Sequence, residues 1–147
     1  MRKIMLLFLL NICGTASAGW VHVAGESEDR SWWEYDPARF VRKGNEIEFW
    51  LRQSGSEHIE TIMSYLKKSD AFSIDYLKDF ERKYSYDLSK WRVRCQSFEM
   101  ALIYVQRYDY KGIPLGDGAK ANPNEFSPIV PESMMDSAAS KLCKKNK

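Results

Sequence analysis

Arginines set among aromatic residues are the side chains of this chain best suited to binding chemistry. Arg92 and Arg94 alternate along one segment, and Arg107 stands next to Tyr108. Guanidinium groups bind carboxylates and phosphates through paired hydrogen bonds, so three arginines on one exposed sheet face would form an anion-binding patch. We therefore predict that Arg92, Arg94 and Arg107 form a binding surface for an acidic polymer, a haem propionate or protein carboxylates.

The same arginines have a structural interpretation that the sequence leaves open. Glu46, Glu48 and Glu99 occupy strand-like positions in neighbouring segments. A glutamate opposite an arginine on an adjacent strand forms a cross-strand ion pair that stabilises the sheet. In that case the arginines would be engaged within the domain itself.

Residues for acid–base, nucleophilic or metal chemistry do not form a recognisable arrangement. The two histidines, His22 and His58, have no neighbours at ligand spacing, and no His-Glu-x-x-His motif occurs. Glu46 and Glu48 alternate as on a solvated strand, with no third polar group converging on them. We therefore expect a non-enzymatic protein with no catalytic residue, no metal site and no cofactor.

Three tryptophans offer a second type of binding chemistry. Trp32, Trp33 and Trp50 could stack on a small planar ligand such as haem if they lined one open pocket. Core filling is the alternative, because large aromatic side chains supply much of the buried area of a small domain.

The cysteine count indicates one disulfide. Cys13 falls in an N-terminal leader, which leaves Cys95 and Cys143 as an even pair in a chain predicted to reach an oxidising compartment. Closing a loop of about 49 residues would contribute on the order of 4 kcal/mol in the chain-entropy model. Two free thiols are the alternative.

The first 18 residues match a secretory signal peptide. Arg2 and Lys3 precede a short apolar run over residues 4–12, and a small-residue cleavage site follows at 16–18. The apolar run is shorter than the roughly 20 residues of a bilayer-spanning helix. We therefore expect cleavage after residue 18 and a domain over 19–147, exported to the periplasm or the outer surface of a bacterial cell, with no transmembrane segment.

The charge of the predicted mature domain is balanced. The chain has 22 basic and 20 acidic residues, a formal charge of +2, and Arg2 and Lys3 account for the whole excess. No general electrostatic attraction to nucleic acid follows, so a partner must be bound by a local patch. We expect a protein partner and no nucleic acid.

Apolar and polar residues alternate in several segments, as in the strands of an antiparallel sheet. Ile47, Phe49 and Leu51 should form a buried face, with Glu46, Glu48, Trp50 and Arg52 on the other. The predicted strands cover residues 20–23, 31–35, 46–52, 90–95 and 98–108, with a brief return at 113–115.

Two segments have the spacing of amphipathic helices. One helix should cover residues 70–84 with Ser69 or Asp70 as its cap, and the last should begin at 131–132 and end at Cys143. Residues 58–68 fit both a helix and a strand, and we favour a strand. The predicted fold class is α+β, with an antiparallel sheet of about five or six strands packed against the C-terminal helix.

Several short motifs follow one another along most of the chain. They are Trp20; Trp33-Glu34-Tyr35-Asp36-Pro37; Arg42-Lys43-Gly44-Asn45 before Phe49-Trp50-Leu51; Cys95 before Tyr108-Asp109 and Gly112; and Pro128-Ile129-Val130-Pro131-Glu132-Ser133 before Cys143. In this order they resemble the bacterial surface-adhesin protein E-like family of small exported proteins. The resemblance implies a sheet packed on a C-terminal helix and a disulfide between Cys95 and Cys143. It also implies binding of host proteins such as vitronectin and laminin, haem binding and dimerisation, which are attributed to the best-known member.

The residues and the resemblance together predict an exported, non-enzymatic binding protein of the bacterial envelope, a surface adhesin for a host extracellular-matrix protein. Two alternatives stay open. One is an accessory periplasmic protein, an inhibitor or assembly subunit that works through the helix near residues 70–84. The other is a binder of a small haem-type ligand through Trp32, Trp33 and Trp50.

Overall fold

An antiparallel sheet is the central element of the computed structural model, which describes residues 19–27, 30–69 and 71–144. Within these residues the sheet has eight strands: β1 (Val21–Ser27), β2 (Ser31–Tyr35), β3 (Val41–Lys43), β4 (Glu46–Ser54), β5 (Tyr84–Arg94), β6 (Glu99–Asp109), β7 (Ala119–Lys120) and β8 (Ser127–Pro128). Six of them form a continuous path in the order β1-β2-β4-β5-β6-β7, while β3 pairs with β4 and β8 with β6. Three α-helices and a short 3₁₀ helix (Pro37–Arg39) complete the described fold. The predicted α+β class is confirmed.

The two faces of the sheet differ because apolar residues alternate along its central strand. On β4, Ile47, Phe49 and Leu51 are fully buried, and we call their side of the sheet the covered face. Glu48 and Trp50 lie half-buried on the other side, which we call the open face. The alternation predicted from the sequence is therefore confirmed for β4.

A β-bulge interrupts the alternation along β6. Trp91 pairs with Leu102 and Lys90 pairs with Tyr104, so Ile103 is an extra residue on β6. One inserted residue moves every later side chain of a strand to the opposite face of the sheet. The second half of β6 is therefore reversed relative to an uninterrupted strand.

The C-terminal helix α3 (Met134–Lys144) packs on the covered face. Ala138 and Leu142 are almost completely buried in the main hydrophobic core. The helix begins later than residues 131–132, because the Ser133 hydroxyl accepts the Asp136 N–H at 3.1 Å and caps the first turn.

Two contacts hold the end of α3 to the sheet. The Sγ atoms of Cys95 and Cys143 lie 2.09 Å apart, which confirms the predicted disulfide. Arg42 Nη2 donates hydrogen bonds of 3.0 Å to the carbonyl oxygens of Leu142 and Cys143. A cation at this position also interacts favourably with the negative end of the helix dipole.

Residues 58–67 are helical, so the strand predicted over 58–68 is wrong. Helix α1 (Ser56–Lys67) buries Met63 and Leu66 in a second apolar cluster with Phe80 and Tyr84. Met63 and Leu66 lie on the apolar side of the helix, and Phe80 and Tyr84 pack against that side. This burial favours the helix over the strand that the same residues could form.

The predicted helix near 70–84 is present as α2 (Ile74–Lys83). Its cap is Ser73, whose hydroxyl accepts the Tyr76 N–H at 3.2 Å. Ser69 is therefore not the cap, and Asp70 lies outside the described residues. The predicted signal peptide over 1–18 also lies outside them. Within the described ranges, none of the helices has the length and apolar character needed to cross a membrane.

Candidate functional site

Glu48 forms the centre of an ion-pair network on the open face. Arg92 donates to Glu48 Oε1 through Nε at 2.9 Å and through Nη2 at 2.6 Å. Lys90 Nζ lies 3.1 Å from Glu48 Oε2. Partial burial acts to raise the pKa of Glu48, but the hydrogen bonds and positive charges of Arg92 and Lys90 outweigh it and lower that pKa.

Arg94 is engaged on the same face by two acidic residues and an aromatic ring. Its Nε donates to Glu46 Oε1 at 3.0 Å, and its Nη1 lies 3.7 Å from Glu99 Oε2. Its guanidinium carbon lies 3.7 Å from the ring centroid of Phe126, a cation–π contact. The cross-strand pairing that the sequence left open is therefore present for Arg92 and Arg94.

Arg107 lies on the covered face, so the prediction of three arginines on one exposed face is wrong. The bulge at Ile103 reverses its direction, and Arg107 Nε lies 3.8 Å from Asp87 Oδ1. The predicted patch retains Arg92 and Arg94. Both are balanced by glutamates, so this part of the open face carries alternating charges of both signs.

Aromatic rings occupy the open face beside the ion pairs. The rings of Trp50 and Tyr104 meet edge to face, with centroids 6.0 Å apart. The guanidinium group of Arg39 lies 5.5 Å from the Trp50 ring centroid. Aromatic and arginine side chains are the types enriched at protein–protein interfaces.

The predicted tryptophan site is not assembled. Trp32 lies opposite Ser54 and stacks on His22, with ring centroids 3.9 Å apart. Trp33 is its neighbour on β2, points to the other face and packs against the main core. Trp32 and Trp33 therefore cannot line one pocket with Trp50.

A polar cluster that the sequence did not indicate lies at one end of the covered face. The Tyr84 hydroxyl is hydrogen-bonded to His58 Nε2 at 2.9 Å, and His58 Nε2 lies 3.4 Å from Asp87 Oδ2. The Asp87 side chain is 5% exposed and that of His58 is 13% exposed. Burial, followed by the charge of Asp87 and a hydrogen bond to it, raises the pKa of Tyr84 well above that of an ordinary tyrosine.

This cluster fixes α1 to the sheet. His58 belongs to the first turn of α1, whereas Tyr84 and Asp87 belong to β5. Nearby Ser89 is fully buried, and its hydroxyl is hydrogen-bonded to Gln53 Oε1 at 3.1 Å. The His58–Asp87 pair thus faces the interior of the domain, where its geometry serves to position the helix.

Comparison with known proteins gives no relative: no family model, no curated protein and no solved structure matches this chain. The resemblance to the surface-adhesin protein E-like family therefore stays a prediction. Among the described residues, no group of three or more His, Cys, Asp and Glu side chains is placed to hold a metal ion.

Proposed function

We propose that this protein is a non-enzymatic binding protein exported to the bacterial envelope, and that it contacts a protein partner through the open face of its sheet. The observation that carries this proposal is the asymmetry of the sheet. Helix α3 packs on the covered face, and α1 reaches Asp87 on that same face. In the part of the chain that the structure describes, the open face carries half-buried charged and aromatic side chains on β4 and β5. Pro123 and Phe126 of the loop after β7 contact this face at Arg92 and Arg94.

The chemistry of the open face indicates what kind of partner it fits. Glu46 lies opposite Arg94 and Glu48 opposite Arg92 in the pairing of β4 with β5, and the rings of Trp50 and Tyr104 lie on the same face. Such a surface is complementary to a protein surface that also carries both signs of charge around apolar contacts. We propose a host extracellular-matrix protein as this partner, the class that the family resemblance implies.

A binding role is also supported by the contacts of the cysteine, histidine and aspartate side chains that could otherwise take part in catalysis. Cys95 and Cys143 are joined in the disulfide, so neither is a free thiol. His58 and Asp87 hold α1 against the sheet within the domain. Both side chains are largely buried, with His58 13% and Asp87 5% exposed.

Charge reversal on the open face tests the proposal. The double variant Arg92→Glu/Arg94→Glu places four acidic groups together on β4 and β5 and should weaken binding to immobilised vitronectin or laminin at least about tenfold, since like charges at an interface are strongly unfavourable. A control is Arg82→Glu on α2, a largely exposed arginine that forms an ion pair with Asp79. Circular dichroism should show that both variants are folded.

The two variants distinguish the outcomes. Weaker binding of Arg92→Glu/Arg94→Glu with unchanged binding of Arg82→Glu supports the open face as the interface. If wild-type protein binds a matrix protein and both variants bind it equally well, the open face is not the interface. If the wild-type protein captures no matrix protein, the proposed partner is wrong.

A further inference from the structure

A groove of about 280 Å³ lies between the covered face and the loop that follows β7. Its floor consists of Trp91, Met100 and Leu102, and its wall includes Ala121, Asn122 and Glu125. This volume is slightly below the range of about 300–1,000 Å³ typical of small-molecule pockets, which suits one large side chain of a ligand.

The floor of the groove is held in one arrangement. Trp91 Nε1 donates a hydrogen bond of 2.8 Å to the buried Ser89 hydroxyl, and that hydroxyl is bonded to Gln53. These bonds fix the plane of the indole ring. Trp91 and Met100 also pack against the main core, so the apolar floor is in place before a ligand arrives.

The wall of the groove is equally well supported. The Ala121 N–H donates to the Ile103 carbonyl at 3.0 Å. A turn follows, in which the Glu125 N–H donates to the Asn122 carbonyl at 3.1 Å and the Asn124 N–H to Asn122 Oδ1 at 3.0 Å. Pre-organised walls of this kind reduce the entropy that binding must overcome.

Two of the three polar side chains at the wall, those of Asn122 and Glu125, define the chemistry of the ligand, and Ser127 is the third. Glu125 is the charged side chain that lines the groove, and it forms no ion pair within the described residues. Asn122 uses its Oδ1 in the turn, so its amide N–H₂ group is available to donate to a ligand carbonyl. The groove thus presents an apolar floor, a negative charge and a hydrogen-bond donor.

We propose that this groove binds a peptide segment in which a bulky apolar side chain is followed by lysine or arginine. The apolar side chain lies on Trp91, Met100 and Leu102, the cation faces Glu125, and a peptide carbonyl accepts from Asn122. Charge complementarity with Glu125 favours a basic neighbour over a neutral or acidic one. The groove is on the face opposite to the open face, so this proposal does not rest on the proposed function.

The test uses two acetylated and amidated tetrapeptides, Gly-Phe-Lys-Gly and Gly-Phe-Gln-Gly, titrated into the full protein. NMR would follow the Trp91 indole N–H and the Met100 methyl group. An exposed ion pair of typical strength corresponds to about two- to fivefold in affinity, so the lysine peptide should bind tighter by that factor. The variant Glu125→Gln should bind both peptides equally.

Two further variants separate the groove from other causes. Glu60→Gln makes the same chemical change on the exposed side of α1 and should keep the preference for lysine. Ala121→Phe places a ring over the floor from an exposed position and should abolish binding of both peptides. The proposal is overturned if neither peptide shifts the Trp91 and Met100 signals, if Glu125→Gln keeps the lysine preference, or if Ala121→Phe binds as the wild type does.

Discussion

Removal of the disulfide between Cys95 and Cys143 should lower the free energy of unfolding by about 4 kcal/mol. The two cysteines are 48 positions apart. Closing a loop of about 49 residues restricts the unfolded chain by roughly 14 cal/mol/K in the chain-entropy model, which corresponds to about 4 kcal/mol at 25 °C. That is a large share of the roughly 5–15 kcal/mol by which small domains are stable.

The protein without the disulfide should nevertheless fold. Arg42 bonds the carbonyl oxygens of Leu142 and Cys143 independently of the sulfur atoms. Leu142 and Ala138 stay buried on the covered face. These contacts keep α3 docked, so the unfolding transition should remain cooperative and move to lower denaturant concentration.

Urea unfolding of four samples measures this effect. They are the oxidised wild-type protein, the same protein with reductant, and the double variant Cys95→Ala/Cys143→Ala without and with reductant. The second and third samples should agree, and reductant should not change the double variant. A loss of stability below about 1 kcal/mol would refute the loop-entropy reasoning, and an effect of reductant on the double variant would show that something other than the disulfide responds to it.

Three further substitutions test separate parts of the fold. The pKa of Glu48 is lower in the folded protein than in the unfolded chain. The ionised carboxylate therefore stabilises the fold above the pKa of an unfolded glutamate, and this stabilisation is lost as pH falls through the folded pKa. Glu48→Gln should consequently reduce the loss of stability at acidic pH when urea unfolding is measured as a function of pH. Tyr84→Phe leaves His58 and Asp87 buried without a hydroxyl partner and should cost about 1–3 kcal/mol in the same assay; no loss would show that this hydroxyl does not stabilise α1. Gly55→Ala should lower the melting temperature, since φ is 104° and the added Cβ would lie 2.5 Å from a carbonyl oxygen; an unchanged melting temperature would contradict that backbone geometry.

The sequence was sufficient for elements whose signal is local. The alternation of Ile47, Phe49 and Leu51 predicts the buried face of β4, because side chains on a strand point to opposite faces in turn. The pair Cys95 and Cys143 predicts the disulfide because no other cysteine remains in the expected mature chain. The class of the fold follows from these elements.

The incorrect predictions concern segments whose structure depends on residues that are distant in the sequence. The segment around Met63 and Leu66 fits two patterns, and its packing with Phe80 of α2 and Tyr84 of β5 selects the helix. The direction of Arg107 depends on the bulge at Ile103, which is a property of the pairing between β5 and β6 and not of either strand alone.

The buried His58–Tyr84–Asp87 cluster and the groove at Trp91 also depend on contacts between residues that are distant in the sequence. His58 is 26 residues from Tyr84, and no spacing rule joins them. Glu125 meets Trp91 at the groove because the loop after β7 folds back along β6. Sequence patterns report on one element at a time, so neither the buried cluster nor the groove could be predicted.

Site-specific photo-cross-linking tests the central claim most directly. A benzoylphenylalanine replaces Trp50 on the open face in one sample and Tyr65, a 70% exposed residue of α1, in another. Each protein is irradiated on living cells in the presence of vitronectin and laminin. A covalent adduct with a matrix protein from position 50, and none from position 65, is the predicted result; an adduct from position 65 alone, or none from either position, would contradict the open face as the binding surface.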